Sequence, residues 1–231
     1  MREMRGVVTA GDFNDFRGMT DYIAVLGEEF AAQVARLVRG KRWLDVGAGH
    51  ARAQKEYLLA KMSLKQRFFE GKAEVVAVAA EAPTKLNIHA IKLDTAVHGI
   101  GGGAGNLNEL VGRYVEDIPD EELGKFNIIT DVFGAVSYSE RLDVVLNKYL
   151  RLLTEGGTLY VHTVSFHTQI IRKDGSKIAM FEWLQAIPGL RVTVGSTDFS
   201  ITAERPGVVV PRLKLIGGKA DAPPERLFQE I

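Results

Sequence analysis

The densest chemical signal in the chain is the run Asp45-Val46-Gly47-Ala48-Gly49-His50-Ala51. Two glycines two residues apart let a backbone turn tightly and come close to a ligand. A helix opening just after such a turn would aim its first N–H groups at an anion. The carboxylate of Asp45 would offer the opposite charge. Two spacings compete for this stretch. A dinucleotide fingerprint, GxGxxG, needs its third glycine at position 52, which is Arg52. An acidic residue two places ahead of a GxGxG run matches Asp45, Gly47 and Gly49, with Ala51 in the third glycine's place. Proton carriers come from five histidines. His167 follows an apolar run and His98 abuts the segment Gly99–Gly105, so these two are the candidate general bases; His50 and His162 read as structural. No pair of histidines or carboxylates has a metal-ligand spacing, so no metal is expected.

The elements that must position these residues follow from periodicity. Tyr22 to Val38 has Ile23, Leu26, Phe30, Val34 and Leu37 at helical spacing, with Thr20 as N-cap. Arg42 to Val46 and Val75 to Ala79 read as buried strands, with a helix from Arg52 to Phe69 between them. Leu107 to Val115 is ambiguous, a helical turn running into a strand near Tyr114. Phe126 to Thr130 is a strand and Ser139 to Leu153 a helix, with Ser137 and Glu140 at the spacing of a capping box. Thr158 to Val164 is a further strand, Ile178 to Ile187 a short helix, and Arg191 to Val194 and Val208 to Ile216 late strands. Near-continuous apolar strands alternating with helices imply a parallel sheet covered on both faces. Such sheets bind ligands at the carboxyl ends of their strands, near the switch in strand order.

Composition narrows the partners. The 231 residues are 46% hydrophobic and 25% charged, as in a globular domain. Lys+Arg and Asp+Glu are both 29, so no bulk positive field exists to hold a nucleic-acid backbone or an anionic membrane. The absence of cysteine excludes disulfides, zinc–thiolate sites, iron–sulfur clusters and thiol nucleophiles. No apolar run approaches the roughly 20 residues of a membrane span, and Met1 to Asp15 lacks the apolar stretch of a secretory signal. A soluble cytoplasmic protein is expected, in one domain over 1–231, with 1–40 an N-terminal helical segment and 83–112 an insertion. Oligomeric state is not legible.

The stretch WLDVGAGHA resembles the first motif of the class I methyltransferases that use S-adenosylmethionine, and FNIITDVFGAVSYSERLDVVLNKYLRLLTEGGTLYVHT resembles their fourth strand, its helix and the turn into the fifth. The resemblance implies an α/β Rossmann-like sheet of seven strands, mostly parallel with the last antiparallel, helices on both faces, and transfer of a methyl group from the sulfonium of S-adenosylmethionine. It implies cofactor contacts from Asp45, Gly47, Ala48 and Gly49, and from Glu81 to the ribose, although the aligned position after the second strand is about Ala79. It places Glu116, Asp117 and Ile118 at the adenine and Asp131 at cofactor or substrate. Val132-Phe133-Gly134 departs from the Asn/Asp-Pro-Pro-aromatic motif of enzymes that methylate nucleobase amines. The expected acceptor is therefore a small molecule or a peptide side chain. The N-terminal segment around Arg17 is expected to fold over the cofactor. Two other readings stay open: a non-catalytic binding protein of this fold, and an NAD-dependent oxidoreductase.

Overall fold

Four largely apolar runs and one mixed edge strand lie side by side as parallel strands, with helices packed over them. The computed structural model describes residues 17–60, 71–80, 107–163, 168–195, 198–204, 206–218 and 226–231. The elements are α1 (Met19–Ala35), β1 (Arg42–Val46), α2 (Arg52–Leu59), β2 (Glu74–Ala79), β3 (Leu107–Val111), single helical turns α3 (Asp120–Leu123) and α4 (Ala135–Tyr138), β4 (Phe126–Val132), α5 (Leu142–Leu152), β5 (Leu153–His162), β6 (Thr168–Ile171), β7 (Lys177–Ala179), α6 (Met180–Gln185), β8 (Leu190–Val194), β9 (Asp198–Ala203), β10 (Leu213–Gly217) and β11 (Arg226–Glu230).

The main sheet has the order β3-β2-β1-β4-β5-β9-β8. Strands β1 to β5 are parallel, and β9 runs antiparallel to both of its neighbours, β5 and β8. This is the expected Rossmann-like sheet of seven strands with one reversed. The switch in strand order falls between β1 and β4, where Val46 pairs with Asp131 at the carboxyl ends.

Alternation along each strand sends side chains to two cores. Trp43, Ile128 and Tyr160 meet Tyr22, Leu26, Phe30 and Val34 of α1. Phe30 sets its ring edge-on to Tyr160, with centroids 5.4 Å apart. Leu44, Ile129 and Val161 face the other way, onto Leu142, Val145, Leu146 and Tyr149 of α5. Those four residues follow the spacing expected of one helical stripe.

Several boundaries differ from expectation, each for a physical reason. The first helix opens at Met19, because Gly18 donates its N–H to Asp21 at 2.7 Å; Thr20 lies inside it. Its inner face begins at Tyr22, and Ile23 is exposed. The helix is two pieces joined at Gly27, whose φ of +81° only glycine adopts easily. The helix expected from Ser139 starts at Leu142. Ser137 does not cap it and instead donates a hydrogen bond to Thr163 at 2.9 Å. Strand β3 occupies 107–111 and stops at Gly112, within the segment 83–112 expected as an insertion, of which 83–106 lies outside the described residues; Glu116 and Asp117 belong to a helical turn beyond the strand, closed by Ile118.

The largest departure is at the C-terminal end. The reversed strand is Asp198–Ala203, and the late strand expected over Val208 to Ile216 forms as Leu213–Gly217 in a second sheet of order β10-β11-β6-β7. Phe228 and Ile170 bury this second sheet against the α5 side of the main core. Among the described residues, no helix is long and apolar enough to cross a membrane.

Candidate functional site

The turn after β1 forms as its glycines require. Gly47 has φ +83° and Gly49 φ +53°, and Ala51, which is not glycine, also takes a left-handed φ of +52°. The left-handed region is costly for a residue with a Cβ, which marks the turn as held by its surroundings. One support comes from Lys55, which is almost fully buried. Its ammonium donates to the His50 carbonyl at 2.8 Å and pairs with Glu109 of β3 at 3.1 Å.

The turn is also pressed against the loop that follows β4. A Cβ on Gly47 would lie 2.7 Å from the Cα of Gly134. A Cβ on Gly134 would collide with the Val46 carbonyl oxygen and stand 2.9 Å from Asp131. Two bare backbones therefore touch at the switch point. The N–H groups of Gly47 and Ala48 both donate to the Val78 carbonyl, at 3.0 and 3.2 Å. Of the two amides expected to face a ligand's anionic group, those of Gly47 and Gly49, the first is spent on β2.

Asp45 lies beneath the turn with no solvent exposure. One carboxylate oxygen accepts from the Tyr22 hydroxyl and the Gln54 amide, each at 2.8 Å, and the other sits 2.5 Å from the Thr130 hydroxyl. Burial pushes its pKa up to about 7, against the pull of these hydrogen bonds. A direct contact from this carboxylate to a bound cofactor was expected; its oxygens instead knit α1, α2 and β4 together under the turn.

Asp131 behaves in the same way. It accepts from the N–H groups of Gly134 and Val136, at 2.9 and 3.0 Å, and from the Tyr149 hydroxyl at 2.6 Å. It thereby caps α4. Burial raises its pKa to about 6. Arg226 of β11 clamps the same turn by donating to the carbonyls of Val136 and Ser139. Desolvation lowers that guanidinium to about 10, which still leaves it charged. The second sheet thus fastens the loop after β4.

Three side chains from different elements converge above these layers on the α1 face. Arg17, just before α1, donates to the carbonyls of Gly47 at 3.2 Å and Val132 at 3.0 Å. Its guanidinium carbon is 5.5 Å from the centroid of the Phe133 ring. Phe133 has φ +53°, the second left-handed non-glycine residue among those described. His162, the last residue of β5, stands edge-on to that ring with centroids 4.7 Å apart. Its Nδ1 is buried with no hydrogen-bond partner, and burial lowers its pKa.

The remaining expected site residues are dispersed. Ala48 is buried against Ala51 and Ala77, and Gly49 is half-buried at the turn. Glu116 accepts from the Ser139 hydroxyl at 3.0 Å, and its second oxygen is buried without a partner. Asp117 is exposed and pairs with Arg141 at 3.4 Å. Ile118 is buried in the α5 core. Glu81, His98 and His167 lie outside the described residues. Tyr22, Gln54, Thr130, Tyr149 and Arg226 carry the framework of the site without having been anticipated. Tyr22 does sit on the helical stripe of α1, but nothing in its spacing marks it as a donor to Asp45. Among the described residues, no group of histidines and carboxylates could hold a metal ion.

The chain has the seven-stranded Rossmann-like fold. No family model and no curated protein sequence matches it. Similar solved structures include a SAM-dependent methyltransferase from Thiobacillus denitrificans in complex with S-adenosyl-L-homocysteine, at 15% identity and a TM-score of 0.39 over 64% of this chain and 49% of that one. A precorrin-6y C5,15-methyltransferase from Geobacter metallireducens shows 14% identity and a TM-score of 0.42 over 82% of this chain and 93% of that one. An rRNA methylase from Streptococcus thermophilus shows 11% identity and a TM-score of 0.45 over 77% and 95%. The chain spans about half the length of the Thiobacillus protein.

Proposed function

We propose that this chain binds S-adenosylmethionine where β1 and β4 end and transfers its methyl group to a small molecule or a peptide side chain. The observation that carries the reading is the strand order itself: a switch point between β1 and β4, a glycine turn seated on it, and a single reversed strand, β9. In open α/β sheets, ligands enter at that crevice. The cofactor supplies a methyl group already activated by its sulfonium. The chain's part is positioning, charge placement and exclusion of water.

Arg17, Phe133 and the Gly47 turn form the wall of this crevice. Asp45 and Asp131 hold the two loops from below. His162 places a neutral imidazole at the same edge, suited to taking a proton from an acceptor hydroxyl or amine. His98 and His167 keep the same proposed role, and Glu81 and Glu116 that of contacts to the nucleoside. We place the protein in the cytoplasm. A specific observation favours a second reading, that of a binding protein without catalysis: the amides of Gly47 and Ala48 and both buried carboxylates are already satisfied within the chain.

Calorimetry with S-adenosylmethionine, S-adenosylhomocysteine and NAD separates the readings. Binding of the first two and not the third is expected. Binding of NAD alone would point to hydride chemistry, and binding of none would leave the non-catalytic reading.

A further inference from the structure

Arg17 stands out at the switch point as a cation with no anion beside it among the described residues. Its Nη2 donates to two carbonyls, and its Nε is buried with no partner. Among the described residues, no carboxylate lies within ion-pairing distance of it. The nearby buried carboxylate, Asp45, is already engaged by Tyr22, Gln54 and Thr130. A guanidinium has five N–H donors in a planar fork that matches a carboxylate two bonds at a time. Leaving such a donor buried and unmet is costly, and a site that retains one is shaped for a group that meets it.

The turn supplies the second half of the reasoning. Its first two amides donate to Val78 and have no free N–H to offer. A ligand carboxylate arriving at this crevice loses those two backbone donors, and a side chain lodged beside the turn can supply donors in their place. Arg17 is lodged for that task. It touches the ends of both β1 and β4, and Phe133, in its strained left-handed conformation, places a ring face under the guanidinium.

Resting on the methyl-donor reading, we propose that Arg17 is the receptor for a carboxylate, the one at the amino-acid end of S-adenosylmethionine. The ligand replaces one or both carbonyl contacts of Arg17 and satisfies Nε.

Calorimetry on the full chain with two probes tests this. One is S-adenosylhomocysteine. The other is its decarboxylated counterpart, 5′-deoxy-5′-(3-aminopropylthio)adenosine. The wild type should bind the first about 10- to 100-fold more tightly, the range expected of a charge-assisted pair. Arg17→Gln should lose that preference while binding the decarboxylated probe as the wild type does. Arg17→Lys, which keeps the charge and loses the fork, should recover part of it, and the thermal unfolding of both variants checks that they are folded. Equal weakening of both probes in Arg17→Gln would make Arg17 a brace between two loops and overturn the proposal, with donor binding intact. Undiminished preference in that variant would assign the carboxylate to another group and overturn it equally. If the wild type binds neither probe, the methyl-donor reading falls, and the carboxylate site with it.

Discussion

Replacing Asp45 with asparagine should stabilise this protein at neutral and alkaline pH. The carboxyl is fully buried, and its pKa is raised from 3.8 to about 7, chiefly by desolvation. An acid raised in this way holds a proton that the unfolded chain has already released. Its contribution is therefore complete below about pH 4 and is lost as pH rises toward 7. A rise of about 3 units, at 1.36 kcal/mol each, makes that loss about 4 kcal/mol. Asparagine imitates the protonated form. Its oxygen can accept from Tyr22 and Gln54, and its amide can donate to Thr130. The Thr130 hydroxyl, which also receives the Trp43 indole N–H at 2.8 Å, can then turn toward the Leu44 carbonyl at 3.4 Å.

The second amide hydrogen would have no partner, at a cost of about 1–2 kcal/mol. The net expectation is a gain of about 2–3 kcal/mol at pH 8 and a loss of about 1 kcal/mol near pH 4.5. Urea unfolding of both proteins across this range gives the difference directly. Asp131, raised to about 6, tilts both curves, and because its charge also helps to raise Asp45 the difference includes their mutual repulsion. A difference that stays flat with pH, or an asparagine variant weaker than the wild type at pH 8, would mean that Asp45 is ionised in the fold, and the reasoning from desolvation would be wrong.

Gly134→Ala should cost about 2–3 kcal/mol from collision alone, because its new Cβ meets the Val46 carbonyl and Asp131. Gly207→Ala, at φ +78° with open space around it, should cost only about 1 kcal/mol; equal losses in urea unfolding would refute the close approach of the two loops. The His162 ring, whose pKa burial lowers, should titrate below 6.5 by NMR. For a base lowered in this way, stability is complete above its unfolded value and falls as pH drops, so His162→Gln should lessen that acid-side loss. A midpoint above 6.5 would contradict the burial.

The strands of the main sheet's centre were readable because each is a nearly unbroken apolar run: Trp43 to Val46, Val75 to Ala79 and Ile128 to Thr130 are buried almost throughout. Strand β3 was blurred because it is an edge, and Asn108 and Glu109 face solvent where a central strand would be apolar. The reversed strand β9 reads Asp-Phe-Ser-Ile-Thr-Ala, and only Phe199 and Ile201 are buried; such alternation over six residues carries a weak signal. Strands β6 and β11 are four and five residues long, and β11 opens on a buried arginine, which composition alone would send to the surface. The glycine turn was visible from spacing, yet the orientation of Asp45 was not. That depends on Tyr22 and Gln54, which are distant in sequence and come together only when α1 and α2 pack on the same face of β1.

The glycines are consequently poor witnesses to ligand binding here. Gly47 must be glycine for two reasons that involve no ligand: its φ of +83°, and the Gly134 backbone 2.7 Å from where a Cβ would stand. Any side chain at 47 would pry the loop of β1 from the loop of β4 and disturb Asp131 below, so lost binding in such a variant would follow from a broken scaffold as readily as from a blocked site. Arg17 is a different kind of residue. Its two partners are carbonyls, of Gly47 and Val132, and its removal breaks none of the hydrogen bonds that hold Asp45 and Asp131. A charge hydrogen-bonded only to backbone carbonyls, placed where the strand order switches, is the feature in this molecule through which a ligand's chemistry can be told apart from the packing that surrounds it.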